Sequence, residues 1–312
     1  MGFVYGVKLP GLDKKIWAKE LTSKLYRDLV KSLYNTDSTA FLQHLNFIIE
    51  HVSPGILQED LNVIDKVILL LNMRAISINP DLKLKATCPI TKKEFEKNIK
   101  IEEVLSKFEN FKYNGNVECD GIKISHSIIK AKDEFNFIDI DQEKLFSYRL
   151  ASSIDSICVD NKDILFKDLS FEERVQVVET LPLNVTTKVQ ESLSSIEEEL
   201  SKTKLLSIHS PFAKVYVVDI PVSTNVVVLL EFCKSVFNDD LGNLYRLNFN
   251  LVNKAGFTPE YADSIPPSEQ LLYWMYFVQQ AQKEQQAAEG TSSNNPSFNG
   301  SKVGVETPSE FT

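Results

Sequence analysis

Between Val226 and Phe249 the chain holds two amphipathic helical stretches joined at Asn238-Asp-Asp240. Large apolar side chains recur there at helical spacing, which forces each stretch to lay a stripe against something else. Groups that do chemistry are scarce in the same segment, and nowhere else does the chain show the spacing of a catalytic site. This combination constrains the carboxy-terminal half to a helical, contact-rich structure. It also points to a protein that works by docking onto other proteins.

A length of 312 residues allows two modest cores or one large one. The net charge of −9 argues against a nucleic-acid binder, which needs a basic face to neutralise phosphates. Lys83, Lys85, Lys92, Lys93, Lys97 and Lys100 cluster in sequence, but Glu94 and Glu96 are interspersed, the pattern of a solvated face. No apolar run reaches the ~18–20 residues that span a bilayer, so no membrane partner is expected. The first residues, Met1 to Gly6, lack the basic and apolar regions of a signal peptide, and Gly6 stands where a myristoylation motif needs a hydroxyl. These features predict a chain that is cytoplasmic when made. Cys88, Cys119, Cys158 and Cys233 are far apart with no C-x-x-C pair, so reduced, mostly buried thiols are expected.

Read along its length, the sequence predicts an α+β fold. Phe3, Tyr5, Val7 and Leu9 alternate, Pro10-Gly-Leu-Asp13 turns, and Ile16-Trp-Ala18 returns as a second strand. Helices follow from Thr22 or Ser23 through Leu33, over Phe41 to Val52, and over Leu61 to Ile76. The break at Ser53-Pro-Gly55 separates the last two. Residues 1–79 therefore read as a hairpin with three helices. From 80 to 142 the chain reads as a β-rich middle domain or insertion: Leu82 to Ala86, Ile122 to Ile124 and Phe135 to Phe137 alternate, with one short helix from Ile101 to Phe108. Residues 143–287 read as a helical domain. It includes a capping box at Ser170-Phe-Glu-Glu173, a helix from Asn184 carrying Val185, Val189, Leu193, Ile196 and Leu200, and a strand at Val215 to Val218. Two further helices span about Ser223 to Phe237 and Asp239 to Asn253. A last helix starts at Pro266-Pro-Ser268 and carries Tyr273, Trp274, Tyr276 and Phe277 on more than one side, so it must be covered. Those four aromatics are the candidate partner-binding residues. The Ser/Asn/Gly/Thr-rich stretch 288–312 reads as a disordered tail.

Candidate chemistry is sparse. His44 and His51 lie seven apart, at the spacing of one helical face, and their only nearby acid, Glu50, sits roughly 100° round the helix, so no metal site is expected there. The chain lacks G-x-x-x-x-G-K-[ST], G-x-G-x-x-G and a G-x-S-x-G elbow, so neither a nucleotide cofactor nor an acyl-transfer enzyme is indicated. Asp139, Asp141 and Glu143 alternate and read as the polar face of a strand end. Cys88-Pro-Ile-Thr91 has the outline of a zinc-ribbon opening, Cys-Pro-x-Cys, with Thr91 in place of the second ligand; a chain descended from a zinc ribbon would here replace the ion with packing and hydrogen bonds.

The order of several segments resembles the T-even-type bacteriophage baseplate hub subunit family. These are Val7-Lys-Leu-Pro-Gly-Leu-Asp-Lys-Lys-Ile16, Leu21 to Ser32 with Tyr26-Arg27, and Asp65 to Ser77 with Leu69-Leu-Leu-Asn-Met-Arg-Ala-Ile-Ser77. The Cys88 segment, Ser170-Phe-Glu-Glu173 with Leu181-Pro182, and Phe232 to Phe249 with Asp240-Leu-Gly-Asn-Leu-Tyr245 complete the series. The resemblance implies a non-enzymatic structural or assembly protein of the contractile-tail baseplate hub, located in the virion tail baseplate and in the host cytoplasm during assembly. Its partners would be other tail or hub proteins, the tape-measure protein among the candidates, and an oligomer is compatible with it. A tail assembly chaperone that holds the tape-measure protein and is absent from the mature virion is the alternative.

Overall fold

The computed structural model describes residues 4–12, 14–34, 37–56, 60–108, 113–160 and 162–291. The fold is α+β, as the sequence predicts. The chain divides into two compact units, one from the residues up to Glu20 together with Ser32–Asn238, the other from Leu21–Lys31 together with Asp239 onward.

The first unit opens with an antiparallel hairpin, β1 (Val4–Leu9) and β2 (Lys14–Lys19), while the expected strand residue Phe3 lies outside the described residues. The chain then contributes α1 (Ser23–Ser32) to the second unit. Asp37 caps α2 (Ser38–Val52), and the Ser53-Pro-Gly55 break ends it, with Gly55 at φ 108 where only glycine is comfortable. Asn62 caps α3 (Val63–Ser77) by accepting from the amides of Ile64 and Asp65. Val63 to Leu71 are buried without interruption, so α3 is a central helix packed on all sides.

The hairpin turn is tied to the start of α3. The Gly11 amide donates to Asp65 Oδ1 at 2.9 Å, and a Cβ on Gly11 would come 2.0 Å from the Asn62 side-chain Nδ2, so the approach requires glycine. Burial raises the Asp65 carboxyl to about 6, the bonds from Gly11 and Asn62 and the charge of Lys130 only partly offsetting desolvation. The native state therefore binds this proton more tightly than the unfolded chain does. Its stabilising effect is complete below about 4 and is lost as pH rises to about 6. Asp65→Asn removes the titration. The unfolding free energy of wild type relative to that variant should fall by about 2–3 kcal/mol across this window, measured by urea denaturation at both ends; a flat difference would show that Asp65 titrates normally.

Next come the hairpin β3 (Asp81–Thr87) and β4 (Glu94–Lys100), then α4 (Ile101–Leu105) with a 3₁₀ turn to Phe108. The lysine-rich stretch is the solvated face of this hairpin, where Lys83 pairs with Glu96 at 3.1 Å. A four-stranded antiparallel sheet follows in the order β5 (Asn114–Cys119), β6 (Ile122–Ser127), β7 (Ile154–Val159), β8 (Lys162–Leu165). Helices α5 (Leu145–Ser153), α6 (Phe171–Thr180) and α7 (Leu183–Ser201) supply its cover. Ile124, Ile154 and Ile157 of the sheet share a core with Leu150, Val178, Val185 and Val189 of these helices. The hairpin β9 (Lys204–His209) and β10 (Tyr216–Pro221) leads to α8 (Val226–Val236), which packs on α3.

Three local expectations are corrected. Phe135 to Phe137 is not a strand: Ala131–Phe137 is a 3₁₀ helix, whose turn sends both Asp133 and Glu134 inward. The acidic stretch from Asp139 to Glu143 forms turns before α5, with Asp139 at φ 57, a conformation that aspartate tolerates. Strand structure also continues past Gln142, because β7 and β8 complete the sheet.

Those inward acids are matched by inward bases. Lys66 on α3 donates to Asn46 Oδ1 at 2.7 Å and pairs with Glu134. Burial pushes the pKa of Glu134 up, and Lys66 pulls it back. Arg174 on α6 grips Asp133 with two bonds of 2.7 Å, and Ser152 donates to the same carboxylate at 3.0 Å. The capping box that starts α6 is present in both directions, Glu173 amide to Ser170 hydroxyl and Ser170 amide to Glu173 carboxylate.

In the second unit, Asp240 caps α9 (Leu241–Asn253) and Thr258 caps α10 (Pro259–Ser264), a helix the sequence reading did not include. The last helix, α11 (Pro267–Thr291), begins with proline at its first position, where the missing N–H costs nothing. It extends a few residues into the segment expected to be disordered, and the rest of that tail lies outside the described residues.

Candidate functional site

The second unit is built around α11. Trp274 and Val278 face Leu247 and Leu251 of α9, while Leu271, Phe277, Ala255 and Phe257 pack around them. Trp274 stacks on Phe277 at 5.3 Å, and the Lys254 ammonium lies 5.8 Å from the indole. Polar contacts fasten α1 to the same group. Both the amide and the hydroxyl of Ser23 donate to the Ile265 carbonyl, Arg27 binds Asp263 at 2.5 Å, and Tyr26 donates to Asp239. Asn248 adds a second donor to Asp263 at 2.7 Å, and Gln270 reaches the Ala262 carbonyl at 2.5 Å.

The four sequence-predicted aromatics therefore take different positions on one helix. Trp274 is 5% exposed and belongs to the unit's core. Phe277 is half-buried against it. Tyr273 lies 5.3 Å from Phe257, and Tyr261 beside it pushes the pKa of its hydroxyl up. Tyr276 is 58% exposed and points with Leu272 and Met275 to the opposite side from Trp274. Spacing of three and four residues puts those three in one stripe. On α9, Tyr245 and Phe249 are also exposed, with Arg27 5.6 Å above the Tyr245 ring. The sequence alone did not mark Leu272, Met275, Tyr245 or Phe249 as partner-binding candidates, although their i, i+3, i+4 spacing was legible.

The first unit holds a groove of about 580 Å³ with Arg149 and Glu197 paired across it, and Thr224 also donating to Glu197. Its wall mixes Phe137, Leu145 and Val226 with Ser194 and Asn225. Asp65 and Glu134, whose carboxyls burial pushes up, do not line it. His126 under α7 is bonded to Ser192 at 2.9 Å, and burial lowers its basicity. The other three histidines are occupied locally: His44 contacts the Ala40 carbonyl, His51 stacks on Phe47, and His209 lies against the Tyr216 ring at 3.9 Å. Among the described residues no three His, Cys, Asp or Glu side chains are grouped to hold a metal ion, and no helix is long and apolar enough to cross a membrane.

Cys88 sits at the tip of the β3–β4 hairpin, covered but not deeply buried. Hydrogen bonds from Ser210 and Thr91 draw its thiol down to about 7. Cys233, enclosed on α8, is pushed the other way, up to about 12.

With this geometry in hand, comparison with known proteins gives one decisive match: the family model described as T4 bacteriophage base plate protein aligns with residues 3–204. The chain belongs to that family. About two thirds of its length is covered by the match, which spans the first hairpin, α2, α3, the four-stranded sheet and α7. No curated protein and no solved structure matches the chain. As a base plate protein it has its place in the virion's tail base plate, among other phage tail proteins. The matched region contains the buried pairs Lys66–Glu134 and Asp133–Arg174 but ends before α9 and α11, so the exposed aromatics of the second unit lie outside it.

Proposed function

We propose that this base plate protein is a non-enzymatic structural or assembly component of the central hub, acting through protein–protein contacts. The observation that carries the reading is the exposed apolar stripe of α11, Leu272, Met275 and Tyr276, flanked by Tyr273, on a helix whose opposite side is locked by Trp274. A rigid helix face with aromatic side chains is the usual form of an interface anchor. Trp274 and Phe277 contribute by fixing the helix, Tyr273 and Tyr276 by meeting the partner.

Tyr276→Ala combined with Leu272→Ala should leave thermal unfolding nearly unchanged, because both side chains are exposed. The same pair should weaken association with base plate proteins by about 2 kcal/mol or more. Incorporation of the double variant into particles, measured by complementation in infected cells, checks this; normal incorporation would remove α11 from the interface.

A second reading has its own support. Beyond Val278 the helix continues through the glutamine-rich stretch Gln279 to Gln286 with nearly all side chains exposed, and the chain is acidic. An open helical arm suits a transient carrier, such as an assembly chaperone for the tape-measure protein. Quantitative mass spectrometry of purified particles beside infected-cell lysate separates the two. Stoichiometric retention in particles supports the hub component, whereas abundance in lysate with absence from particles supports the carrier.

A further inference from the structure

Two hairpin tips of the first unit repeat one pattern. The turn between β3 and β4 reads Cys88-Pro-Ile-Thr-Lys-Lys93, and the turn between β9 and β10 reads Ser210-Pro-Phe-Ala-Lys-Val215. Each has six residues: a small Sγ- or Oγ-bearing residue, proline, a large apolar residue, a small residue, lysine, and a closing residue. Each is flanked by one cross-strand pair, Thr87 with Glu94 and His209 with Tyr216. In both, the first amide donates to the sixth carbonyl, Cys88 to Lys93 at 2.9 Å and Ser210 to Val215 at 3.0 Å. In both, a backbone amide inside the turn donates back to the first side chain. Thr91 N–H reaches Cys88 Sγ at 3.4 Å, and Phe212 N–H reaches Ser210 Oγ at 3.1 Å.

The two tips, far apart in sequence, meet in space. Phe212 of the second tip sets its ring edge-on to Phe95 at 6.1 Å, Lys93 of the first lies 5.5 Å from the Phe212 centroid, and the Ser210 hydroxyl sits close enough to the Cys88 thiol to draw its pKa down. Two C-x-x-C turns that meet tip to tip are how a zinc ribbon assembles four thiolates, with backbone amides orienting the sulfurs. Here the corresponding positions are 88, 91, 210 and 213, occupied by Cys, Thr, Ser and Ala. One thiol cannot hold zinc, yet the amide-to-sulfur bond and the tip-to-tip approach remain.

We propose that these tips form a paired zinc-knuckle site in which hydrogen bonds converging on Cys88 stand in for the ion, with Thr91, Ser210 and Ala213 in the other three ligand positions. The inference joins a tip inside the family match to one beyond its end at residue 204, so the match itself does not contain the pairing. It also does not depend on the hub assignment. The ligand class is a thiophilic divalent cation, taken up once the three donors are restored.

The test is Thr91→Cys, Ser210→Cys and Ala213→Cys together in the full chain, titrated with Co²⁺ under reducing conditions and then with Zn²⁺. The expected result is one cobalt per chain with the intense d–d bands of a tetrahedral thiolate site, displaced by zinc and absent from wild type. A folded triple variant, with wild-type circular dichroism, that takes up no cobalt or shows a weak octahedral spectrum overturns the proposal. Should the triple variant fail to fold, S210C alone decides. Mild oxidation with diamide should join its new thiol to Cys88, mapped by peptide mass spectrometry. No crosslink, or one to Cys119, Cys158 or Cys233, overturns the pairing.

Discussion

Trp274→Ala should cost the second unit about 3–5 kcal/mol, the usual range for deleting a large buried aromatic. The indole is 5% exposed and fills the space between α9 and α11 beside Leu247, Leu251 and Val278. Truncation removes its apolar contacts, leaves a void that the helices cannot close fully, and abolishes the stack on Phe277, itself worth about 0.5–1.5 kcal/mol. Urea denaturation read by circular dichroism, with hydrogen exchange on α9 and α11, is the measurement. The wild-type protein carries a convenient reporter, since its other tryptophan, Trp17, is 63% exposed and Trp274 is enclosed. Replacing Trp17 by Phe leaves Trp274 fluorescence to follow this unit alone. Tyr276→Ala, on the exposed side, should shift the same transition by less than about 0.5 kcal/mol. Unchanged stability in the Trp274→Ala protein, with loss of partner binding only, would reverse the assignment of roles along α11.

That contrast marks where the sequence stops being readable. Elements marked by turn residues, caps and helical periods are present: the first hairpin around Pro10-Gly11, α2 and α3, the Ser170 capping box, α7, and α8 and α9 on either side of Asn238-Asp-Asp240. Their signals are turn residues, caps and apolar periods, and each acts within a few residues. What the pattern could not give was the identity of each neighbour. The leucine stripe of α1 reads like that of α2, yet Ser23, Tyr26 and Arg27 bind Ile265, Asp239 and Asp263, more than two hundred residues later. Likewise, aromatics on several sides of α11 announce that the helix is covered without saying which side by its own unit. Phe135-Asn-Phe137 misleads for the same reason: its alternation is real, but the carboxylates just before it are claimed by Lys66 and Arg174, and a 3₁₀ turn delivers both. The Cys88 turn was legible as half of a knuckle, whereas its counterpart at Ser210 carries no cysteine to announce it.

The second large effect lies in that buried pair. Arg174→Met should destabilise the first unit by about 3–5 kcal/mol, because it strands the Asp133 carboxylate in the interior. Asp133 and Arg174 side chains are 4% and 5% exposed, and the guanidinium contributes two of the carboxylate's bonds, leaving Ser152 as the remaining donor. The cost comes from desolvation, not from the attraction lost. A hydrophobic replacement of both partners tests this: Arg174→Met with Asp133→Leu removes the stranded charge and should recover most of the stability lost in the single variant. Arg174 also rests 5.1 Å over Phe171 and donates to the Ala151 carbonyl at 3.3 Å, contacts that methionine replaces only in part. Recovery should therefore be incomplete, by about 1 kcal/mol. Equilibrium urea denaturation of the single and double variants measures the cycle. If the double variant is as unstable as the sum of the two singles, the pair is not what holds α6 against the 3₁₀ segment, and packing around Phe171 must be.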